Sequence, residues 1–521
     1  MKQTYEALFT PWKIGNVEIK NRIVLCPMGG TSLFGWMEPN HFDKEAAGFF
    51  LERARNNVGL IIPGIAPIRD TIRRAVAVPE QKDVPGTETV YGADPRHRRQ
   101  AVRAAHRRYG PVLGHYGRGA AAAQKPGAAG AGKPILDTNY QLASPSPLPA
   151  RWAEGVTCPE MTVPQIEQIV AAFAKTALLC KEAGVDGVEV HAVHEGYLLD
   201  QFAMKYTNHR SDRYGGSFEN RYRFAVEIVK AIKAACGADY PVSIRYSVLS
   251  KVKDFCYGAL PGETYTEIGR DMEESEKAAR YLQDAGYDML NADNGTYDSW
   301  YWAHPPMYMP LNCNLEDVAH IKRFVDIPVV CAGRMEPDAA AAAIAEGRID
   351  AMGVARQFLT DGAWVTKMLE DRMEDIRPCI CCHNGCFNMA HYKGHANAQS
   401  FGDTRGMARC AINPPTMQSR KYRLTPAAVP KEIAVIGGGI GGMESALVCA
   451  RRGHNVTLYE KSDRLGGVFQ AAAAPSFKEK DRALLAWYAR EVTKYPKPDR
   501  QAGNGSEGPG GPACGRDHRG H

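Results

Sequence analysis

The chain has 521 residues, 44% of them apolar, and a formal net charge of +6. This is ordinary globular composition with ample core material, and at ~150 residues per domain the length fits two to four domains. Much of the excess charge lies in "DPRHRRQAVRAAHRRYG" and "GRDHRGH"; no helix carries a basic stripe with interleaved aromatics, which weighs against a nucleic-acid partner, and no run of ~18 apolar residues exists to cross a membrane.

The opening "MKQTYEALFTPWKIGNVEIKNR" is of mixed polarity and holds no apolar leader, so the expected location is cytoplasmic. From 22 to 356 short β-branched runs alternate with longer amphipathic stretches. Strand candidates are 22–28, 58–68, 185–192, 241–247, 287–295, 327–334 and 349–356. An eighth, at 110–117, is poor. Between them lie helical patterns such as "MTVPQIEQIVAAFAKTALLCKEAG", with apolar residues at i, i+3 and i+4 and a terminal glycine. Strands alternating with helices build a parallel sheet, and eight such units predict an α/β fold with an N-terminal (β/α)8 TIM barrel. His191, His194, Arg245, Asn294 and Arg334 fall just after strands, where a barrel keeps its active site. Residues 92–134 break this rhythm where the second helix and third strand belong.

Past the fourth strand, "VEVHAVHEGYLLDQF" (188–202) brings His191, His194 and Tyr197 together. Two imidazoles beside a carbonyl oxygen can stabilise the enolate that forms when hydride adds at the β carbon. A phenol can then protonate the α carbon. The plain reading is a solvated strand end, and a zinc site through the two histidines lacks a nearby third ligand.

Residues 379–386 read "CICCHNGC", and Cys410 follows before "NPP". Clustered cysteines in a reducing cytoplasm bind metal or do redox work more often than they pair as disulfides. Cys379, Cys382, Cys386 and distant Cys410 have the spacing of a cuboidal iron–sulfur cluster. Zinc prefers two paired knuckles, which Cys410 alone does not supply. Zinc or plain buried cysteines stay open as alternatives, with Cys381 a bystander.

A Pro-containing linker leads to "KEIAVIGGGIGGMESALVCARRGHNVTLYE". Here a strand runs into Gly437, Gly439 and Gly442, then a helix and a second strand ending in Glu460. The glycines permit a tight turn and close backbone approach to a pyrophosphate, and the acid suits ribose hydroxyls. The organisation expected is 1–375 barrel, 376–415 iron–sulfur segment, 416–430 linker, 431–493 start of a dinucleotide-binding domain, and 494–521 low-complexity or frame-altered tail. About 60 residues do not close a Rossmann domain, so the sequence reads as truncated within it.

The stretch "HAVHEGYLLDQF…NHRSDRYGGSFENRYRF" resembles the signature of the Old Yellow Enzyme barrel flavoproteins. With the cysteine loop and dinucleotide motif, the chain resembles their larger iron–sulfur branch, which includes 2-enoate reductases, 2,4-dienoyl-CoA reductases and trimethylamine dehydrogenase. The run "GGTSLFGWMEPNHFDKEAA" is most similar to the 2-enoate reductases. The resemblance implies FMN in the barrel, a [4Fe-4S] cluster in the loop, FAD on the third region and NADH as reductant. It implies that Pro27, Met28 and Gly29 line the flavin, that Arg245 stabilises its reduced anion, and that Gly333, Arg334, Gly353 and Arg356 hold its phosphate. Tyr197 matches the proton donor, His191 and His194 the substrate-orienting pair, and His304 an active-site histidine of the dienoyl reductases. Glu195 is an extra residue against the commonest spacing. The implied reaction is NADH-dependent reduction of the carbon–carbon double bond of 2-enoates. The alternatives are a 2,4-dienoyl-CoA or steroid-CoA ene-reductase or desaturase, an NADH oxidase or electron-transfer flavoprotein, and a tertiary amine dehydrogenase with Trp300, Tyr301 and Trp302 as its cage. A homo-oligomer stays open.

Overall fold

In the computed structural model the described residues are 3–31, 33, 44–64, 66–68, 102–106, 144–150, 155–192, 198–388 and 408–495. They divide into two units, Met1–Arg423 and Leu424–His521.

The first unit is built on one parallel sheet. Its strands are β1 (Ile23–Leu25), β2 in two pieces (Leu60–Ile61 and Ala66–Pro67), β3 (Val102–His106), β4 (Gly187–His191), β5 (Val242–Ser247), β6 (Met289–Asp293), β7 (Val329–Ala332) and β8 (Ala351–Val354). Each strand from β3 to β8 pairs in parallel with the next, and β8 returns to β1. The first piece of β2 pairs with β1 and the second with β3. The sheet therefore closes on itself, as the (β/α)8 expectation requires. Seven strands fall inside the stretches read from sequence. The third is Val102–His106 rather than 110–117, which lies outside the described residues, as do most of 92–134 and residues 496–521.

The helices form for local reasons the sequence shows. In Val163–Glu182, Thr162 caps the start, Gln165 completes a capping box, and Pro164 sits in the first turn. Its buried Ile166, Ile169, Phe173, Ala177 and Cys180 lie on one face against the barrel. Ile166, Ile169 and Phe173 each contribute about 1.5–3 kcal/mol by leaving water.

One end of the barrel is plugged. A hairpin, Trp12–Ile14 with Val17–Ile19, packs Trp12, Ile14 and Ile19 onto Val24, Leu60, Met289, Val330 and Ala351. Only the carboxyl ends of the strands are left to build a site.

The second unit pairs β9 (Glu432–Ile436) in parallel with β10 (Asn455–Tyr459). The crossover helix Ile440–Arg451 buries Met443, Ala446 and Leu447, and the helix Glu479–Lys494 covers it with Leu484, Leu485, Trp487 and Tyr488. Tyr488 Oη donates to Glu444 Oε2 at 2.8 Å.

Candidate active site at the barrel mouth

Strand register sets the layers inside the barrel. Arg245 on β5 lies opposite His191 on β4 and Asn291 on β6, while Ser243 lies opposite Glu189 and Met289. Cross-strand partners point the same way, so these side chains share the interior. Arg245 is buried and donates through Nη1 to Asn291 Oδ1 at 2.6 Å and through Nη2 to Asp293. Burial disfavours its charge, but Asp293, Cys26 and Glu189 outweigh that, and the guanidinium stays protonated.

Asn291 passes this link downward. Its Nδ2 donates to Glu189 Oε2 at 3.0 Å, and Ser243 Oγ donates to the same oxygen at 3.3 Å. Glu189 Oε1 is buried and accepts no hydrogen bond among the described residues. Burial, opposed by Arg245, pushes the Glu189 carboxyl up to about 7. The mouth thus holds a fixed cation above an acid that titrates near neutrality. A cation buried there suits an isoalloxazine ring that becomes anionic on reduction.

Around this centre the expected FMN residues divide. Pro27, Met28 and Gly29 are half-buried just after β1. Gly353 on β8 leaves no room for a side chain, because a Cβ would stand 2.8 Å from Cys26 Sγ. Gly333 is occupied differently: a Cβ would meet Asn314 Nδ2 at 2.3 Å, and that amide donates to Ala332 O at 3.0 Å. Arg334, at φ +48°, donates to the carbonyls of Met307, at 2.7 Å, and Met309. Arg356 turns the other way. It donates through Nη1 to His383 Nε2 at 2.5 Å and lines the cysteine pocket.

His191 is half-buried at the end of β4. His194 and Tyr197 lie outside the described residues. The following helix, Leu198–Ala203, is fixed from behind: Arg270 Nη2 donates to Asp200 Oδ1 at 2.9 Å, and both side chains are almost wholly buried. His304 follows the short helix Trp300–Ala303, with its ring stacked on Trp300 at 4.3 Å.

A second pocket lies beside the barrel. Cys379, Cys381, Cys382, Cys386 and Cys410 line it with Arg356, Thr360 and His383, in about 300 Å³ including its open mouth. Gln357 holds its rim through Oε1, which accepts from Cys379 N at 2.8 Å, and Nε2, which donates to Arg377 O at 2.8 Å. Gly385 lets the two cysteine segments meet, since a Cβ there would stand 2.7 Å from Ala411 N. Cys381 and His383 have left-handed backbones, φ +51° and +58°, on either side of Cys382. Burial pushes the Cys386 thiol up to about 12 and raises Cys410. Unligated, these thiols are inert; a bound metal ionises them. Among the described residues no set of three or more His, Cys, Asp or Glu side chains converges as ligands of a single ion do.

In the second unit Gly437 takes φ +99°, and a Cβ on Gly442 would stand 1.8 Å from Gly437 O. Gly439 precedes the helix as its N-cap. Glu460 Oε2 accepts from Gly438 N at 2.6 Å, while Oε1 accepts from Ser462 N and Oγ, both at 2.9 Å. These bonds, Ser462's first, hold the carboxylate below its usual range. A carboxylate offers about four acceptor sites, so Glu460 keeps capacity for a ribose hydroxyl.

A barrel with this mouth, followed by a βαβ unit with a glycine turn, is the build of a flavin oxidoreductase. Residues 7–375 match the NADH:flavin oxidoreductase / NADH oxidase family, and residues 432–499 match the FAD dependent oxidoreductases. The chain belongs to the NADH:flavin oxidoreductase / NADH oxidase family. It is 41% identical over 491 residues to a cinnamate reductase of Clostridium sporogenes, covering 94% of this chain and 70% of that one. An NADH oxidase of Thermoanaerobacter brockii is 33% identical over 489 residues, covering 94% and 68%. Among solved structures, 2-naphthoyl-CoA reductase in complex with 2-naphthoyl-CoA superposes with a TM-score of 0.76 at 26% identity, covering 94% of this chain and 70% of that one. Among the described residues no helix is long and apolar enough to cross a membrane.

Sequence reasoning missed several residues. Glu189 was legible as the residue two before His191, hence on the same strand face. Asn291 and Asp293 were legible in the same way on β6. His383 gave no signal, because its partner Arg356 lies far from it in sequence.

Proposed function

We propose that the chain reduces the carbon–carbon double bond of 2-enoates with NADH as the electron donor, in a cytoplasmic setting. The observation that carries this reading is the 41% identity to a cinnamate reductase, extending across both units. The cofactor set is FMN at the barrel mouth, [4Fe-4S] on Cys379, Cys382, Cys386 and Cys410, and FAD on the glycine turn of the second unit. When bound, these groups supply hydride at the double bond and the one-electron steps that carry electrons from NADH through FAD and the cluster to FMN.

The residues support each placement. Four thiolates of a single zinc lie ~2.3 Å from one point. The loop cysteines with one distant partner have instead the spacing of a cuboidal-cluster ligand set, and Cys379, Cys382, Cys386 and Cys410 all line one pocket. At the mouth, Arg245 holds positive charge where a reduced flavin gains negative charge. His191, beside Arg245 in the strand register, donates to the carboxylate or carbonyl of the substrate, with His194 as its partner. Tyr197 gives the proton to the α carbon, and His304 closes the same mouth from β6. A thioester substrate is the second reading, favoured by the likeness to 2-naphthoyl-CoA reductase.

Turnover of cinnamate and crotonate, and of their CoA thioesters, under strict anaerobiosis separates these readings. Free acids as the better acceptors support the first, thioesters the second. Oxygen as the sole acceptor removes both and leaves an NADH oxidase. Tyr197→Phe should leave the flavin reducible by dithionite but slow its reoxidation by enoate ~10²- to 10⁴-fold, the usual weight of a positioned acid. Reoxidation at the parent rate removes Tyr197 from the role.

A further inference from the structure

The cysteine segment also reaches the barrel mouth. At Asn384–Asn388 the chain makes one wide turn of π-helix, and Phe387, next to Cys386, sends its ring against the residues that follow β6. The Phe387 ring meets Trp300 edge-on at 4.6 Å and 67°, and lies 5.5 Å from His304. Trp300 stacks on His304 at 4.3 Å and 23°, and Tyr297 backs Trp300 at 4.7 Å. On its other side Phe387 lies 5.7 Å from His383, whose ring accepts from Arg356. A run of ring contacts therefore joins the mouth histidine to the wall of the cysteine pocket.

The turn before this helix is tied down, since Ser299 Oγ donates to Ser250 O at 2.6 Å and accepts from Thr296 N at 2.7 Å, but His304 sits at the far end, where the helix itself gives least support. Trp300–Ala303 is only four residues long, its Ser299 N-cap makes no side-chain capping bond to it, and His304 is its last hydrogen-bonded residue. A helix of one turn contributes little stability of its own. Trp300 and Phe387 pack on the His304 ring and restrict its direction.

The geometry points to Phe387 as a positioning residue for His304. It packs on the Trp300–His304 pair and, through its contact with the His383 ring, joins that pair to the wall of the cysteine pocket. This inference rests on the reading of His304 as a residue of the mouth.

The test uses the loaded full chain with Phe387→Leu, Phe387→Tyr, His304→Ala and the Phe387→Leu/His304→Ala double variant. Iron per chain is measured first, to show that the pocket is filled in each. Diethyl pyrocarbonate acylation of His304, followed by peptide mass mapping, then reads the stack without any turnover. His320, paired with Glu276 at 2.6 Å, serves as reference. An aromatic pair sets the scale of the expected change, ~3- to 10-fold. Phe387→Leu should speed His304 acylation by that factor while His320 stays unchanged, and Phe387→Tyr should restore the parent rate. Equal acceleration at both histidines, or none at His304, overturns the proposal. The Kd for cinnamate separates the underlying reading. If His304→Ala leaves it unchanged, His304 is not a substrate residue, yet the acylation result still judges the stack. If His304→Ala weakens it, Phe387→Leu should weaken it ~3- to 10-fold in the parent and not in the His304→Ala background. Additive effects overturn the coupling.

Discussion

Glu189 is fully buried between Ser243 and Asn291, and its Oε1 accepts no hydrogen bond among the described residues. Its carboxyl is raised from 4.5 to about 7, chiefly by burial. The folded state therefore binds this proton more tightly than the unfolded chain does. The stability this contributes is complete below pH 4.5, is lost as pH rises toward 7, and is absent above that. A shift of that size corresponds to about 3 kcal/mol. Glu189→Gln cannot ionise and keeps an oxygen for Asn291, so it should match the parent at pH 5 and exceed it by ~1–3 kcal/mol at pH 8. Urea melts at the two pH values, with equal flavin content, check this; an unchanged difference between pH 5 and pH 8 refutes it. The cysteines give a second prediction at this scale. Cys379→Ser, Cys382→Ser, Cys386→Ser and Cys410→Ser should each lose iron, whereas Cys381→Ser should keep it. Cys381 lines the same pocket, so equal loss there, or zinc in place of iron, would redraw the ligand set.

At the scale of elements, a buried ion pair holds the helix that follows Tyr197. Arg270 binds Asp200, the Tyr222 hydroxyl at 3.0 Å and Ser247 O at 2.6 Å, all buried. Arg270→Met strands a carboxylate away from water, which costs about 3–5 kcal/mol. The same change should lower enoate reoxidation of the flavin, because Leu198–Ala203 anchors the segment that carries the phenol. Adding Asp200→Asn should recover much of the stability but not the rate; recovery of both would mean that the pair does not position the helix. Elements of this barrel were legible in sequence where burial on both faces demands β-branched runs, as in "PVSIRYS" and "IPVVCAGR". The third strand, "VRAAH", was not, since a single valine beside two alanines, an arginine and a histidine makes no β-branched run. Site residues on strand ends were legible by the alternation of "VEVH". The contacts of Arg356 were not: its position after β8 suggests a phosphate, while its partner His383 is set by the path of a distant loop.

At the scale of the whole molecule, the proposed flavin sites fall on two separately packed units, so damage to one should leave the other's chemistry standing. Gly442 gives the cleanest cut. A methyl group there would stand 1.8 Å from Gly437 O, a distance that no rotamer change relieves because both atoms are fixed to backbone. The Gly437 peptide must move, and with it the amide of Gly438 that Glu460 accepts at 2.6 Å. Overpacking of this kind costs about 1–3 kcal/mol, which falling on the nucleotide turn corresponds to a ~5- to 140-fold loss of FAD affinity. None of these atoms belongs to the barrel, where Arg245, Asn291 and Asp293 remain paired. Gly442→Ala should therefore be isolated with its FMN and iron intact and its FAD depleted. Enoate reduction driven by dithionite should stay within about twofold of the parent, since that reductant reaches the barrel directly, while the NADH-driven rate should fall with FAD occupancy. Extraction and chromatography of the two flavins, beside both rates on one preparation, reads all of this. Loss of FMN together with FAD, or an unchanged NADH-driven rate at depleted FAD, would show that the two units do not divide the electron path in this way.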